Sequence, residues 1–140
     1  SQLTNITQIV TNESPISHLP VSLVDCSMTL NGEFDLSALT NLTTMDVSFN
    51  TVSKVTFPTQ LDKLVIMKGM FGASNIKDVA LKGFFSYDHN LQWTRDMLEQ
   101  LPKTMAEASF ADIDDDVVLA LKEIFPSTQC RVGPFWSMPL

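Results

Sequence analysis

Apolar residues alternate with others over C-S-M at 26–28, M-D-V at 45–47 and L-V-I at 64–66, the period of a strand with one buried face. Around these triplets runs a degenerate pattern, L-x-x-L-x-L-x-x-N-x-L. It is most complete at Leu42, Met45, Val47, Asn50 and Val52. Sliding it by roughly 19 places reaches Leu23, Cys26, Met28 and Asn31 on one side and Leu61, Leu64, Ile66, Gly69 and Phe71 on the other. Three short strands in phase are therefore predicted, none able to bury its inner face alone. Weaker copies extend the series: Ile6, Ile9, Thr11, Ser14 and Ile16 before it, then Ile76, Val79, Leu81 and Phe84, then Met105, Ala108, Phe110 and Ile113. The uneven spacing of the last two predicts an insertion at 85–100.

Two stretches change period. Thr94 is placed to cap a helix through RDMLEQL, with Met97, Leu98 and Leu101 on one face and Pro102 ending it, so a helix is predicted at about 94–101. Asp114 or Asp115 opens a second over VVLALKEIF, at about 115–125. Its residues Val117, Val118, Leu121, Ile124 and Phe125 recur at helical spacing before Pro126.

On these residues the chain resembles the leucine-rich repeat family. The resemblance implies an α/β solenoid, with short parallel strands on a concave face and irregular loops and the two short helices on the convex side. Asn31 and Asn50 would belong to a ladder of side-chain amides between turns, which Gly69 would interrupt. The whole of 1–140 reads as one such domain, a piece of a longer protein.

Composition narrows the function. A net charge of −7 with nine scattered basic residues argues against a nucleic-acid partner. No run of 18 apolar residues would insert in a membrane, and no signal-peptide pattern opens the chain. Cys26 falls on an inner strand position and Cys130 several strands away, too far apart for a disulfide. The run DIDDD at 112–116 matches part of a calcium loop through Asp112, Asp114, Asp116 and Glu123, but Val117 stands where such a loop turns on glycine. Those carboxylates read instead as the acidic start of a helix. The histidines, His18 and His89, form no metal-ligand pattern, and no nucleophile elbow or phosphate loop occurs. The chain is expected to be no enzyme and to need no cofactor.

What remains is recognition of a protein or peptide. The residues that alternate with the buried ones face the concave side: Asp25, Ser27 and Thr29; Thr44, Asp46 and Ser48; Lys63, Val65 and Met67; then Asp78, Ala80 and Lys82, and Glu107, Ser109 and Ala111. Val65 and Met67 have no structural duty in this register, which leaves them as a contact patch or as an incidental apolar surface. Tyr87 and Trp93 lie in the insertion, where inserted loops carry recognition, the alternative being that Trp93 folds down over the helix; Phe135 and Trp136 either seal the far end or belong to a following unit. Asn5, Asn12 and Asn41 begin glycosylation triplets, which favours an extracellular or cell-surface setting over a cytoplasmic one. The rival functions are an intracellular scaffold within a larger assembly and a carbohydrate-binding module. The oligomeric state is not written in the sequence.

Overall fold

The computed structural model describes residues 8–11, 21–133 and 138–139. Parallel strands follow one another in chain order across one sheet: β1 (Gln8–Thr11), β2 (Asp25–Asp35), β3 (Thr44–Thr56), β4 (Gln60–Lys68), β6 (Ala80–Ser86), β7 (Glu107–Phe110) and β8 (Gln129–Val132). A two-residue strand, β9 (Met138–Pro139), closes the far edge antiparallel to β8. Another two-residue strand, β5 (Ala73–Ser74), leaves the main path and pairs with the end of β3. Among the described residues, a 3-10 turn (Ile76–Asp78) and two helices that pack on each other, α1 (Arg95–Glu99) and α2 (Asp115–Ile124), lie between strands.

Register explains the core. Cys26, Met45, Leu64, Phe84, Ala108 and Cys130 pair in one row, and Met28, Val47, Ile66, Ser86, Phe110 and Val132 in the next. All are buried except Val132, which is half-buried, so the inner face is an apolar wall broken by the single hydroxyl of Ser86. Loop residues complete it from behind. Phe71 meets Phe49 and Phe57 edge-on at 5.5 and 5.3 Å, within the range that favours T-shaped pairs. Leu98, Leu121, Ile124 and Phe125 bring the helices into the same core. Cys26 and Cys130 are both free, buried, and five strands apart in one row, about 24 Å at ~4.8 Å per strand.

β2 and β3 are longer than the sequence pattern implied because each serves two ladders. Register shifts between Leu30 and Glu33 bend the pairing, after which Glu33, Phe34 and Asp35 pair with Lys54, Val55 and Thr56. Lys54 and Val55 then pair with β5. Polar side chains, one amide and one carboxylate, complete the backbone where strands run out. Asn75 accepts from the Phe57 N–H at 2.7 Å and donates to the Phe57 carbonyl at 3.1 Å, occupying both backbone groups of that residue. Asp88 accepts from the Gly69 N–H at 2.8 Å. Gly69 has φ of +73°, and a Cβ there would sit 2.5 Å from the Phe49 carbonyl oxygen, so glycine is required on two counts.

The expected leucine-rich-repeat solenoid is not the architecture found. Among the described residues the fold is α/β with two helices, and its successive units do not copy one another. Strand lengths run from two to 13 residues. The segments before β6, β7 and β8 contain a 3-10 turn, α1 and α2 respectively, whereas none of these lies between β2 and β3. The phase shared by β2, β3 and β4 constrains which side chains turn inward, and places no requirement on the connections behind them.

Local expectations fared unevenly. The helices run over Arg95–Glu99 and Asp115–Ile124, shorter at their ends than 94–101 and 115–125. Thr94 caps α1 by accepting from the Met97 N–H at 3.3 Å, whereas Asp114, at the N-cap of α2, makes no side-chain cap bond. Asp115 and Asp116 stand in the first turn of α2, where the helix dipole favours negative charge. The register after β4 needs correction: Leu64 pairs with Phe84, not Val79. The side chains of Asn31 and Asn50, and residues 135 and 136, lie outside what is described.

Candidate functional site

The outer face of the sheet can be written as two rows of paired residues. One row is Asp25, Thr44, Lys63, Gly83, Glu107 and Gln129; the other is Ser27, Asp46, Val65, Phe85, Ser109 and Arg131. Thr29 pairs with Ser48 beyond them on β2 and β3. On these two strands the face is polar and half-buried throughout, with Asp25 and Asp46 giving it negative charge. From β4 onward its character changes.

There the centre is apolar. Val65 is 7% exposed, enclosed between its paired neighbours Asp46 and Phe85, while Met67 at the end of the same strand is 46% exposed. Phe85 is half-buried and Tyr87, just past the end of β6, is 40% exposed. The Phe85 ring reaches over its neighbour Gly83: a Cβ on that glycine would lie 3.1 Å from the ring and 3.4 Å from Glu107 Oε1. Lys63 Nζ stands 5.0 Å from the Phe85 ring centroid, in range of a cation–π attraction. Ser109 and Ala111 are buried and small, which leaves low ground between this aromatic ridge and exposed Arg131.

The expected recognition residues on β2, β3, β4 and β7 are thus gathered on one face, whereas Val65, Trp93, Asp78 and Lys82 depart from expectation. Val65 is a packed residue, not a free apolar side chain, because Phe85 stands beside it. Trp93 is core: it is 3% exposed, its indole N–H donates to Ser86 Oγ at 3.2 Å, and its ring meets Phe110 at 5.0 Å and Phe84 at 5.7 Å, both edge-on. A buried indole needs such a partner, and Ser86 supplies it from the inner face. Of the more distant positions, Asp78 lies in the 3-10 turn and Lys82 forms an exposed ion pair with Asp62 at 3.4 Å. Gly83 and Phe85 take their place on the outer face. Phe85 is not recognisable as an outer residue from the sequence, because Phe84 and Phe85 stand side by side and either one fits the inner frame.

Other chemistry is sparse among the described residues. Burial pushes the Cys26 thiol up to about 12, helped by Asp25 and Asp46, and burial also raises Cys130. A thiol held in its neutral form is a poor nucleophile. Among the described residues no group of three or more His, Cys, Asp or Glu is arranged to hold a metal ion, and no helix is long and apolar enough to cross a membrane. A cleft of about 420 Å³ opens between the starts of α1 and α2, lined by Gln92, Trp93, Thr94, Arg95, Asp114, Asp116, Val117 and Ala120. Its cation, Arg95, is already held by Glu123 at 2.8 Å. Asn41 is exposed on the turn between β2 and β3, while Asn5 and Asn12 lie outside the described residues.

No protein-family model, curated protein or solved structure matches the chain, and nothing in these comparisons identifies the leucine-rich repeat family.

Proposed function

We propose that this chain is a non-catalytic recognition module that binds a protein or peptide across the outer face of its sheet, outside the cell or at its surface. One observation carries the reading. Met67 stands out to solvent at the end of β4, beside the end of β6 that carries Tyr87 and the half-buried Phe85, on a face whose surroundings are mostly polar or charged. Interfaces concentrate their energy in such an arrangement, an aromatic and methionine centre within a polar rim. The carbohydrate reading gains two aromatic rings, Phe85 and Tyr87, that the sequence reading had not placed on this face. Lys63 already stands over the Phe85 ring, which favours a protein partner over a stacked sugar.

Because Val65 is packed, the informative change is Met67→Asp alone. Proteins retained from an extract of the native source by the wild-type chain should be lost with M67D. They should be kept with Leu119→Asp, a change at an exposed apolar residue on α2. Thermal unfolding checks that each variant folds. Retention by M67D, or equal loss with both variants, would remove the support for this face.

A further inference from the structure

We infer that Asn41 accepts an N-linked glycan, an inference that rests on the extracellular setting proposed above. Asn41-Leu42-Thr43 has the acceptor pattern, with no proline at its centre. The fold presents it well. Leu42 is buried in the core and Thr43 is half-buried, its Oγ1 donating to the Val24 carbonyl at 3.2 Å, so the two anchored neighbours fix the turn from which Asn41 emerges into solvent.

The amide geometry is compatible with substitution. Asn41 Nδ2 donates one hydrogen to the Val21 carbonyl at 2.9 Å. A primary amide has two, so one N–H is committed to the fold and one is available. In the transfer, Nδ2 bonds to the anomeric carbon of an oligosaccharide carried on a lipid pyrophosphate. The anomeric C–O bond breaks, the lipid pyrophosphate leaves with its electron pair, and the transferring enzyme's base takes the amide proton. The remaining N–H keeps the contact to Val21.

A second observation gives the glycan something to do. Val21, whose carbonyl Asn41 holds, is itself 59% exposed. A sugar on the neighbouring amide would stand over this apolar side chain, at the entry to β2. The site is on the turn that leads into β3, at the opposite end of the parallel strands from Met67 and Tyr87, so a glycan there leaves those two residues open to a partner.

The test expresses the full chain behind a secretion leader in eukaryotic cells. Glycans are released by peptide N-glycosidase in heavy-oxygen water and the peptides read by mass spectrometry. The secreted wild type should carry heavy aspartate at position 41 in most molecules. Asn41→Gln and Thr43→Ala should abolish the label, and Thr43→Ser, which keeps the acceptor pattern, should restore it. Recovery of unmodified Asn41 from folded, secreted wild-type chain would overturn the inference, as would a label that persists in T43A. Chain from the native source separates the two readings: an unmodified Asn41 there, with a modified one in the secreted chain, would sink the extracellular setting and leave the acceptor site standing.

Discussion

Replacing Gly69 with alanine should cost this fold far more than the same change at Gly32, although both glycines have positive φ, +73° and +83°. At Gly32 an added Cβ meets nothing within 4 Å, so only the left-handed backbone is penalised, by about 1–2 kcal/mol. At Gly69 the new Cβ would sit 2.5 Å from the Phe49 carbonyl oxygen, well inside ordinary contact. That oxygen belongs to the backbone of β3, and Phe49 is fully buried, so relief requires the strand itself to move. Overpacking of this kind costs about 1–3 kcal/mol on top of the strain. Moving the loop instead would stretch the Gly69 N–H bond to Asp88. Alanine also lowers the entropy of the unfolded chain, but by a similar amount at both sites, so the difference between the variants isolates the clash. Urea unfolding followed by circular dichroism should place G69A about 1–3 kcal/mol below G32A. Equal midpoints, within about 0.5 kcal/mol, would show that the approach to Phe49 is not a constraint and that the turn after β4 is misread.

Trp93→Phe keeps most of the apolar volume and removes the N–H that Ser86 accepts; leaving that buried hydroxyl alone should cost about 1–3 kcal/mol by chemical denaturation, and a neutral result would place the indole elsewhere. Asn75→Ala strips a partner from both backbone groups of Phe57, for an expected loss of about 2–4 kcal/mol; proteolysis should then cut first near β5, and an unchanged stability would show that the amide is dispensable. The Cys26 thiol is held neutral to about pH 12 in the folded state against an ordinary value of 9.0, so its contribution is complete below pH 9 and is lost as pH climbs from 9 towards 12. Wild-type stability should therefore fall more steeply over that window than Cys26→Ala, and Ellman's reagent at pH 8 should label Cys26 only after unfolding; prompt labelling of the native chain would contradict the burial.

The inner face of β2, β3 and β4 was legible because alternation at Cys26, Met45 and Leu64 leaves one phase open, and the pairing found is that phase. It failed at β6 for a physical reason. In LKGFFS both frames put a phenylalanine inward, and only the packing of Phe84 against Trp93 and Phe110 decides between them. Trp93 shows the same limit from the other side. Its polar neighbours suggest a surface loop, yet a side chain's period says nothing about the segment it folds onto. On β2 and β3 alternation alone decides which residues turn outward, and the register pairs those same residues, whereas the burial of Val65 was hidden because it comes from Phe85, a residue assigned to no role. Repetition misled at the level of architecture, because matching strand phases do not fix the loops and helices that join them.

The antiparallel strand β9 has a consequence for how this molecule meets its own kind. A flat array of parallel strands in chain order could be prolonged indefinitely by a second chain laid against its last member, which is the route by which exposed edges aggregate. Two residues running the opposite way, one of them Pro139 with no N–H to offer, cover Arg131 and Val132 and present an edge that a parallel newcomer cannot continue in step. Removing residues 138–140 should therefore make the chain associate end to end with rising concentration, a change that light scattering would register.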